Sequence, residues 1–362
     1  MDDKTFQILV INPGSTSTKF AQFTNEAPVF TETLRHSDAE LAQFINSPIL
    51  AQLEFRLEKI LASLRDHAVG LRHLDAVAGR GGLLKPLASG TYLVNDHMLE
   101  DLRRVERGEH ASNLGAFLAH QLAAHARCPA FIVDPVSVDE WPPVARLSGL
   151  AGMDRECLSH ALNTKAIAKR FAREQGKVYR DLRLIIAHLG SGISISAHEN
   201  GKMIEVTNSR EEGAFSTERA GSLPVMKLVD LCFSGKYSRQ EVETKIFRQG
   251  GIYSYLGTKD LAEVLRRSAA REERAQLVVA GLVYQCCKEI GAMAAVLAGR
   301  VDAILLTGGM VHPVEVAERM KAQVNWIAPV FVYPGEDEIR ALAEGALRVL
   351  RGEEEALDYQ LQ

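Results

Sequence analysis

The sequence predicts an α/β fold made of two duplicated halves, and three observations carry that expectation. Short apolar strands alternate with stretches of helical periodicity along the chain. A length of 362 residues accommodates two domains. The third observation is a repeat. Residues 8–20 and 184–196 align at a constant offset that sets Asn12 on His188, Gly14 on Gly190 and Ser15 on Ser191. Each copy is an apolar strand, a polar residue, a Gly-Ser turn and a return strand. Such a turn offers converging backbone N–H groups and hydroxyls with no side chain in the way, which suits phosphate. Two copies suggest two related domains that face a nucleotide from opposite sides.

The elements follow in order. Phe6–Asn12 and Ser17–Thr24 alternate as strands, with Pro13-Gly14 as the turn signal. Leu41–Leu64 carries apolar residues at helical spacing, and Asp75–Gly79 is a short strand before Arg80-Gly81-Gly82. Helical patterns at Asp96–Val105 and Ala111–Ala126 precede a strand at Ala130–Val133, which ends at Asp134-Pro135. The pattern breaks around Trp141–Gly149, so the expected first domain is residues 1–148 completed by a returning C-terminal helix in 340–362. The expected second domain is 149–339. In it, a helix at Leu158–Gln175 leads to strands at Leu182–His188, Ile193–His198 and Lys202–Thr207, the last two joined by Asn200-Gly201. Glu272–Ala298 is apolar on nearly all sides and reads as a buried helix. Val301–Leu306 is a strand ending in Thr307-Gly308-Gly309, and Val330–Tyr333 is the last strand. Ile339, Leu342, Ala343, Ala346, Leu347 and Leu350 share one face of a final helix, expected to pack back on the first domain.

Composition bounds the function. Hydrophobic residues make up 46% and charged residues 24%, with a net charge of −4. No basic field is available to grip nucleic acid. Met1-Asp2-Asp3-Lys4 lacks a signal-peptide pattern, and the apolar run Ile290–Gly299 is too short to span a bilayer. The expectation is a cytoplasmic protein with neither membrane nor nucleic-acid partner. None of the five cysteines forms a C-x-x-C pair, and the eleven histidines include no H-x-x-x-H or H-E-x-x-H pattern. A helix-borne zinc site is therefore not expected.

The segment Asn12 to Lys19 gathers Ser15, Thr16, Ser17 and Thr18 beside a cation that can neutralise phosphate. Its bland alternative is a hairpin with a solvated lysine. It is not a Walker A loop. Gly190-Ser191-Gly192 after His188 is a weak G-x-G, because a strand follows where a dinucleotide site needs a helix. His188 is either a structural residue or a donor to a transferring phosphoryl group. Arg80 and Arg219 stand beside glycines and are either surface charges or anion ligands. Asp134 is an Asp-Pro turn former or a metal or acid–base residue. Glu336-Asp337-Glu338 opens the last helix, where acidic residues also suit the macrodipole. Thr307-Gly308-Gly309 can bring backbone close to a base or ribose.

Taken in order, these motifs resemble the acetate and butyrate kinase family of the sugar-kinase, heat-shock protein and actin superfold. The match is closest to the butyrate kinase group. It rests on Arg80-Gly81-Gly82-Leu83-Leu84, Ile132-Val133-Asp134-Pro135-Val136, the segment 212–221 from Glu212 through Arg219 to Gly221, and Tyr333-Pro334-Gly335-Glu336-Asp337-Glu338. The resemblance implies two ribonuclease-H-like domains with the active site in the cleft between them. ATP, as its Mg²⁺ complex, would transfer its γ-phosphoryl group reversibly to a short-chain carboxylate, giving ADP and an acyl phosphate. Asn12, Gly14, Ser15, Ser17 and Lys19 would form the first phosphate loop. Gly190, Ser191 and Gly192 would form the second. Arg80, Asp134, His188 and Arg219 would be catalytic, and Thr307, Gly308 and Gly309 would hold adenosine. Asn12 and Glu338 would hold Mg²⁺, directly or through water, although Glu336 is close enough in sequence to compete for that role. Thr307-Gly308-Gly309 continues as Met-Val-His where acetate kinases have a longer Gly-Ile-Gly-Glu-Asn.

Chain length enters by the same comparison. Acetate kinases carry two bulky apolar residues after the arginine that matches Arg80, whereas Gly81 and Gly82 stand here. The expectation is a pocket of Arg80, Gly81 and Gly82 with room for a butyrate-sized tail, each buried methylene contributing about 0.8 kcal/mol. Acetate, propionate and branched-chain acids are alternative substrates. A non-catalytic actin- or chaperone-like nucleotide switch is an alternative of another class. The resemblance also favours a homodimer or larger homo-oligomer.

Overall fold

The computed structural model describes residues 4–360. The acidic Met1–Asp3 and the last two residues lie outside the described residues. The chain divides into two compact units. One comprises residues 1–139 and 337–362, and the other comprises Glu140–Glu336.

The first unit opens with the antiparallel strands β1 (Gln7–Pro13), β2 (Ser17–Thr24) and β3 (Ala27–Arg35). The stretch expected to be one helical pattern over Leu41–Leu64 is interrupted. A short α1 (Asp38–Ala42), started by a Ser37–Glu40 capping box, is separated from α2 (Leu53–Asp66) by Pro48 and a 3₁₀ turn. Helical spacing of apolar residues carries across that break, which is why the sequence does not reveal it. β4 (Ala76–Arg80), β5 (Thr91–Leu93), α3 (Asp96–Arg104), α4 (Asn113–Ala126) and β6 (Ala130–Val133) follow.

In the second unit α5 (Ala161–Glu174) leads to β7 (Leu184–Leu189), β8 (Ile193–Glu199) and β9 (Lys202–Val206). Asn200 and Gly201 both take positive φ (54° and 74°) in the β8–β9 turn. Four short helices come next: α6 (Val225–Cys232), α7 (Arg239–Phe247), α8 (Gly251–Leu256) and α9 (Leu261–Ala269). The long α10 (Glu273–Val296), β10 (Ala303–Gly308), α11 (Val314–Val324) and β11 (Val330–Pro334) complete the unit. The chain then returns to the first unit with α12 (Glu338–Leu350) and β12 (Leu357–Asp358).

The repeat in sequence is a repeat in topology. The first sheet runs β12-β5-β6-β4-β1-β2-β3 and the second runs β11-β10-β7-β8-β9. In each, three successive strands pair antiparallel, and two later strands add parallel to the first of them. Both faces of each sheet are covered, so the central strands read as continuous apolar runs. Leu9 and Ile11 of β1 pack on α2 and α4, and α12 lies against β1 and β4. Gly345 lets α12 approach Val133, since a Cβ there would stand 2.5 Å from both Val133 methyls. In the second unit Leu184 and Ile186 pack on α5, whereas Ile185, Ala187 and Leu189 pack on α10.

α10 is long and apolar enough to cross a bilayer by length and composition, yet its Val279, Leu282, Cys286 and Ile290 fill the core of the second unit. It is not buried all round as its composition suggests: Leu277 and Tyr284 are exposed.

Two buried histidines make stability depend on pH. Burial, helped by Arg56 and Lys59, lowers the His36 pKa to about 4. Burial, with Lys165 nearby, holds His198 well below its usual value. Both are neutral in the fold and gain a proton more readily when unfolded. Their stabilising effect is complete above pH about 6.5 and is lost as pH falls below that value, for His36 down to about 4, at up to about 1.4 kcal/mol per pH unit for each histidine. Melting temperature is expected to fall between pH 7.5 and 5, with a shallower slope in His36→Gln. Equal slopes would remove His36 from the account.

Candidate active site

The candidate residues stand at the carboxyl ends of the parallel strands in both sheets, where open α/β sheets bind ligands. In the first unit the β1–β2 turn is closed by the Gly14 N–H donating to the Ser17 carbonyl at 2.8 Å, which leaves Ser15 and Thr16 exposed at its tip. Asn12, next to last in β1, pairs in register with Lys19 of β2. Its Nδ2 donates to Glu338 Oε2 at 2.6 Å. Arg80, the last residue of β4, forms an ion pair with the same carboxylate oxygen. Glu338, at the start of α12, is buried and is thereby joined to Asn12 and Arg80.

Glu336 is placed elsewhere. In the second unit its Oε1 lies 3.2 Å from His188 Nε2. Two residues of sequence thus separate carboxylates that serve different copies of the fold. His188 is buried at the end of β7, and no hydrogen bond to its Nδ1 exists among the described residues. Its ring stacks on His160, with centroids 4.2 Å apart. His160 precedes α5, and its Nδ1 is hydrogen-bonded to Ser194 Oγ at 2.9 Å. Sequence reasoning passed over His160. The one available signal was a second histidine just ahead of the helix that precedes the repeated strand.

The second turn is bolted to the segment bearing Arg219. Ser216 Oγ donates to the Ser191 carbonyl at 2.5 Å and accepts from the Arg219 N–H at 3.0 Å. Among the described residues the Arg219 guanidinium hydrogen-bonds through Nη1, which donates to the Ser209 carbonyl and hydroxyl at 3.2 Å each. Burial lowers its pKa. A Cβ on Gly192 would stand 2.8 Å from Arg219 Nη1 and 3.3 Å from His160 Cε1. A Cβ on Gly190 would stand 3.0 Å from Glu336 Oε1 and 3.3 Å from His188 Nε2. The two glycines therefore let a guanidinium, two imidazoles and a carboxylate close around one Gly-Ser-Gly turn.

The remaining candidates sit among close contacts of the protein itself. At Gly81 and Gly82 the position a side chain would take is filled by the protein itself. A Cβ on Gly81 would collide with Pro135, and one on Gly82 would stand 2.5 Å from Asn113 Oδ1 and 2.6 Å from Asn113 Cα. The space is filled by the strand-end loop and the start of α4. Asp134 is buried with φ of 38°, a left-handed conformation strained for a side-chain-bearing residue before proline. Its Oδ1 accepts from Ser89 Oγ at 2.6 Å and from the Gly90 N–H at 2.9 Å, so its carboxylate holds the turn before β5. The buried Thr307 hydroxyl donates to the Gly335 carbonyl at 3.2 Å. Gly308, at φ 98°, has the Leu189 backbone where a Cβ would go, so Gly309, with nothing within 4 Å of its Cβ position, is the residue of that loop open to approach.

The donor set limits a metal. No group of three or more His, Cys, Asp or Glu able to hold an ion exists among the described residues. Asn12 and Glu338 alone fit a Mg²⁺ that keeps most of its waters and arrives with phosphates.

Residues 155–327 match the Acetokinase family. That segment contains the second turn, His160, His188 and Arg219. Solved structures resemble nearly the whole chain. An acetate kinase from Porphyromonas gingivalis is 20% identical with a TM-score of 0.78, covering 95% of this chain and all of its own. A propionate kinase from Francisella tularensis is 16% identical with a TM-score of 0.72, covering 94% and 98%. An acetate kinase from Entamoeba histolytica is 14% identical with a TM-score of 0.75, again covering 94% and 98%. At those identities the likeness establishes the fold, the α/β actin-like ATPase architecture, with its two duplicated sheets.

Proposed function

We propose that the protein is a carboxylate kinase that phosphorylates butyrate or a similar short-chain fatty acid from ATP. The observation that carries the reading is the cluster of Arg219, His160 and His188 around the Gly190–Gly192 turn, inside the segment that matches the Acetokinase family. A nucleotide switch would need the turns without that gathering of donors. The choice of butyrate rests on the sequence resemblance of the Arg80, Asp134, Arg219 and Glu338 motifs.

In this reading a carboxylate oxygen attacks the γ-phosphorus in line. The new O–P bond forms as the bond to the β-phosphate oxygen breaks, ADP leaves, and an acyl phosphate remains. A carboxylate is already a nucleophile, so no base is required. The barrier is the approach of two anions and the spread of charge over the transferring group. Arg80 takes the acid's carboxylate in exchange for Glu338. Arg219 and His188 donate to the phosphoryl oxygens, and His160 holds the His188 ring. Gly14, Ser15, Ser17 and Lys19 bind phosphate on the first turn, and Gly190, Ser191 and Gly192 bind it on the second. The Thr307-Gly308-Gly309 loop receives adenosine through Gly309, with Thr307 and Gly308 holding the loop's shape. Asp134 acts as a positioning residue through Ser89 and Gly90. Asn12 and Glu338 would hold Mg²⁺ through water, and the ion would supply positive charge to offset that of the phosphates. The enzyme is expected to work in the cytoplasm as a homodimer or larger assembly.

A hydroxylamine-trapping assay across straight and branched acids of about two to six carbons tests this reading. Acyl hydroxamate formed with ATP, with the highest kcat/KM for a four-carbon acid, is the expected result. A maximum at acetate or propionate would reassign the substrate. No hydroxamate with any acid would favour the switch.

A further inference from the structure

Arg56 is fully buried on α2, yet no carboxylate pairs with it among the described residues. Burying an arginine without a counter-ion is costly unless its donors are satisfied. They are satisfied by the first turn. Nη1 donates to the Gly14 carbonyl at 2.8 Å, the Ser17 carbonyl at 3.0 Å and Thr18 Oγ1 at 3.0 Å. Nη2 donates to the Ser15 carbonyl at 3.1 Å. Nε and Nη2 also reach Gln52 Oε1, at 3.1 and 2.8 Å, which fixes the fork. Thr18 Oγ1 is in turn hydrogen-bonded to His36 Nε2 at 2.9 Å, and the His36 N–H takes the Thr16 carbonyl at 2.9 Å. Burial pulls the Arg56 pKa down to about 10, so it is still charged at neutral pH.

In a trans peptide the carbonyl of one residue and the N–H of the next point in opposite directions. Holding the Gly14 and Ser15 carbonyls on the guanidinium therefore turns the Ser15 and Thr16 N–H groups away from it. Neither N–H has a hydrogen-bond partner among the described residues. A turn that binds an anion must present such donors and keep its carbonyl oxygens, which repel phosphate, on the other side. We propose that Arg56 is a positioning residue that orients the peptide planes of the Gly14–Ser17 turn for phosphate. The proposal rests on the reading of that turn as a phosphate site.

The test compares Arg56→Lys with wild type in melting temperature and in kcat and KM for ATP and for the acid. A lysine keeps the charge but cannot fork across three carbonyls. KM for ATP is expected to rise at least about tenfold, with kcat and the KM for the acid changed less than about threefold. A merely structural role would lower the melting temperature and the active fraction and leave KM for ATP alone. A folded Arg56→Lys protein with KM for ATP within about twofold of wild type would overturn the proposal. If that variant does not fold, Gln52→Leu, which loosens the fork from outside, decides: a rise of about threefold in KM for ATP supports the proposal and no rise overturns it. Lys19→Met separates the two layers of the argument. If it leaves KM for ATP unchanged, the turn is not the phosphate site. If it raises KM while Arg56→Lys does not, only the role of Arg56 falls.

Discussion

Arg80→Ala and Arg219→Ala will each lower kcat/KM for the acid by about 10³-fold or more, while KM for ATP changes little. In the proposed reaction each charge matters most where the carboxylate meets the transferring phosphoryl group, which is a feature of the transition state. The two residues reach that effect from different resting states. Arg80 is ion-paired with Glu338 before any acid binds. Among the described residues the Arg219 guanidinium hydrogen-bonds through Nη1 to Ser209, and in the proposed reaction Nε and Nη2 meet the incoming anion. Steady-state kinetics with both substrates varied checks the expectation. A variant that keeps more than about a tenth of wild-type kcat/KM, or within about 1.4 kcal/mol, has no such role.

Gly82→Val will reduce the yield of folded protein and its melting temperature sharply, and will lower activity toward acetate and butyrate by the same factor. The Cβ alone would stand 2.6 Å from Asn113 Cα and 2.9 Å from Asn113 N, and backbone at the start of α4 cannot step aside as a flexible side chain can. Overpacking of this kind typically costs about 1–3 kcal/mol and occasionally more. Thermal melts together with both specificity constants check this. A well-folded variant whose butyrate-to-acetate ratio falls would restore Gly82 as a wall of the acid pocket.

The fold was legible where its signals are local. Apolar strands, the Gly-Ser turns and the Asn200-Gly201 hairpin act through neighbouring residues, so they read directly from the chain. The alignment of Asn12 with His188 was visible for the same reason, and five strands of the first sheet (β6-β4-β1-β2-β3) repeat the order of the second. Features that depend on tertiary partners were not legible. Helix α6 is short and exposes Val225, Met226 and Val229, so no buried face marks it. Arg56 lies in an amphipathic stretch where an arginine reads as solvated, and only the folded chain shows it under the first turn. Gly81 and Gly82 illustrate a deeper ambiguity: a missing side chain looks the same in sequence whether a ligand or the protein's own backbone occupies the space. Glu336 and Glu338 could not be told apart by spacing, and they part only because the chain passes from one unit to the other between them.

That crossing has a consequence for biogenesis. Strands β1 to β6 leave the ribosome early, but the helix that covers one face of their sheet, and brings Glu338 to Asn12 and Arg80, is encoded beyond Glu140–Glu336. At about 5–20 residues per second, the nascent first unit waits on the order of 10–40 s with apolar surface on β1 and β4 uncovered. During that interval it is a client for chaperones and a target for proteases. A chain that stops short of α12 would keep the β1 and β4 surface bare and would lack Glu338 beside Asn12 and Arg80.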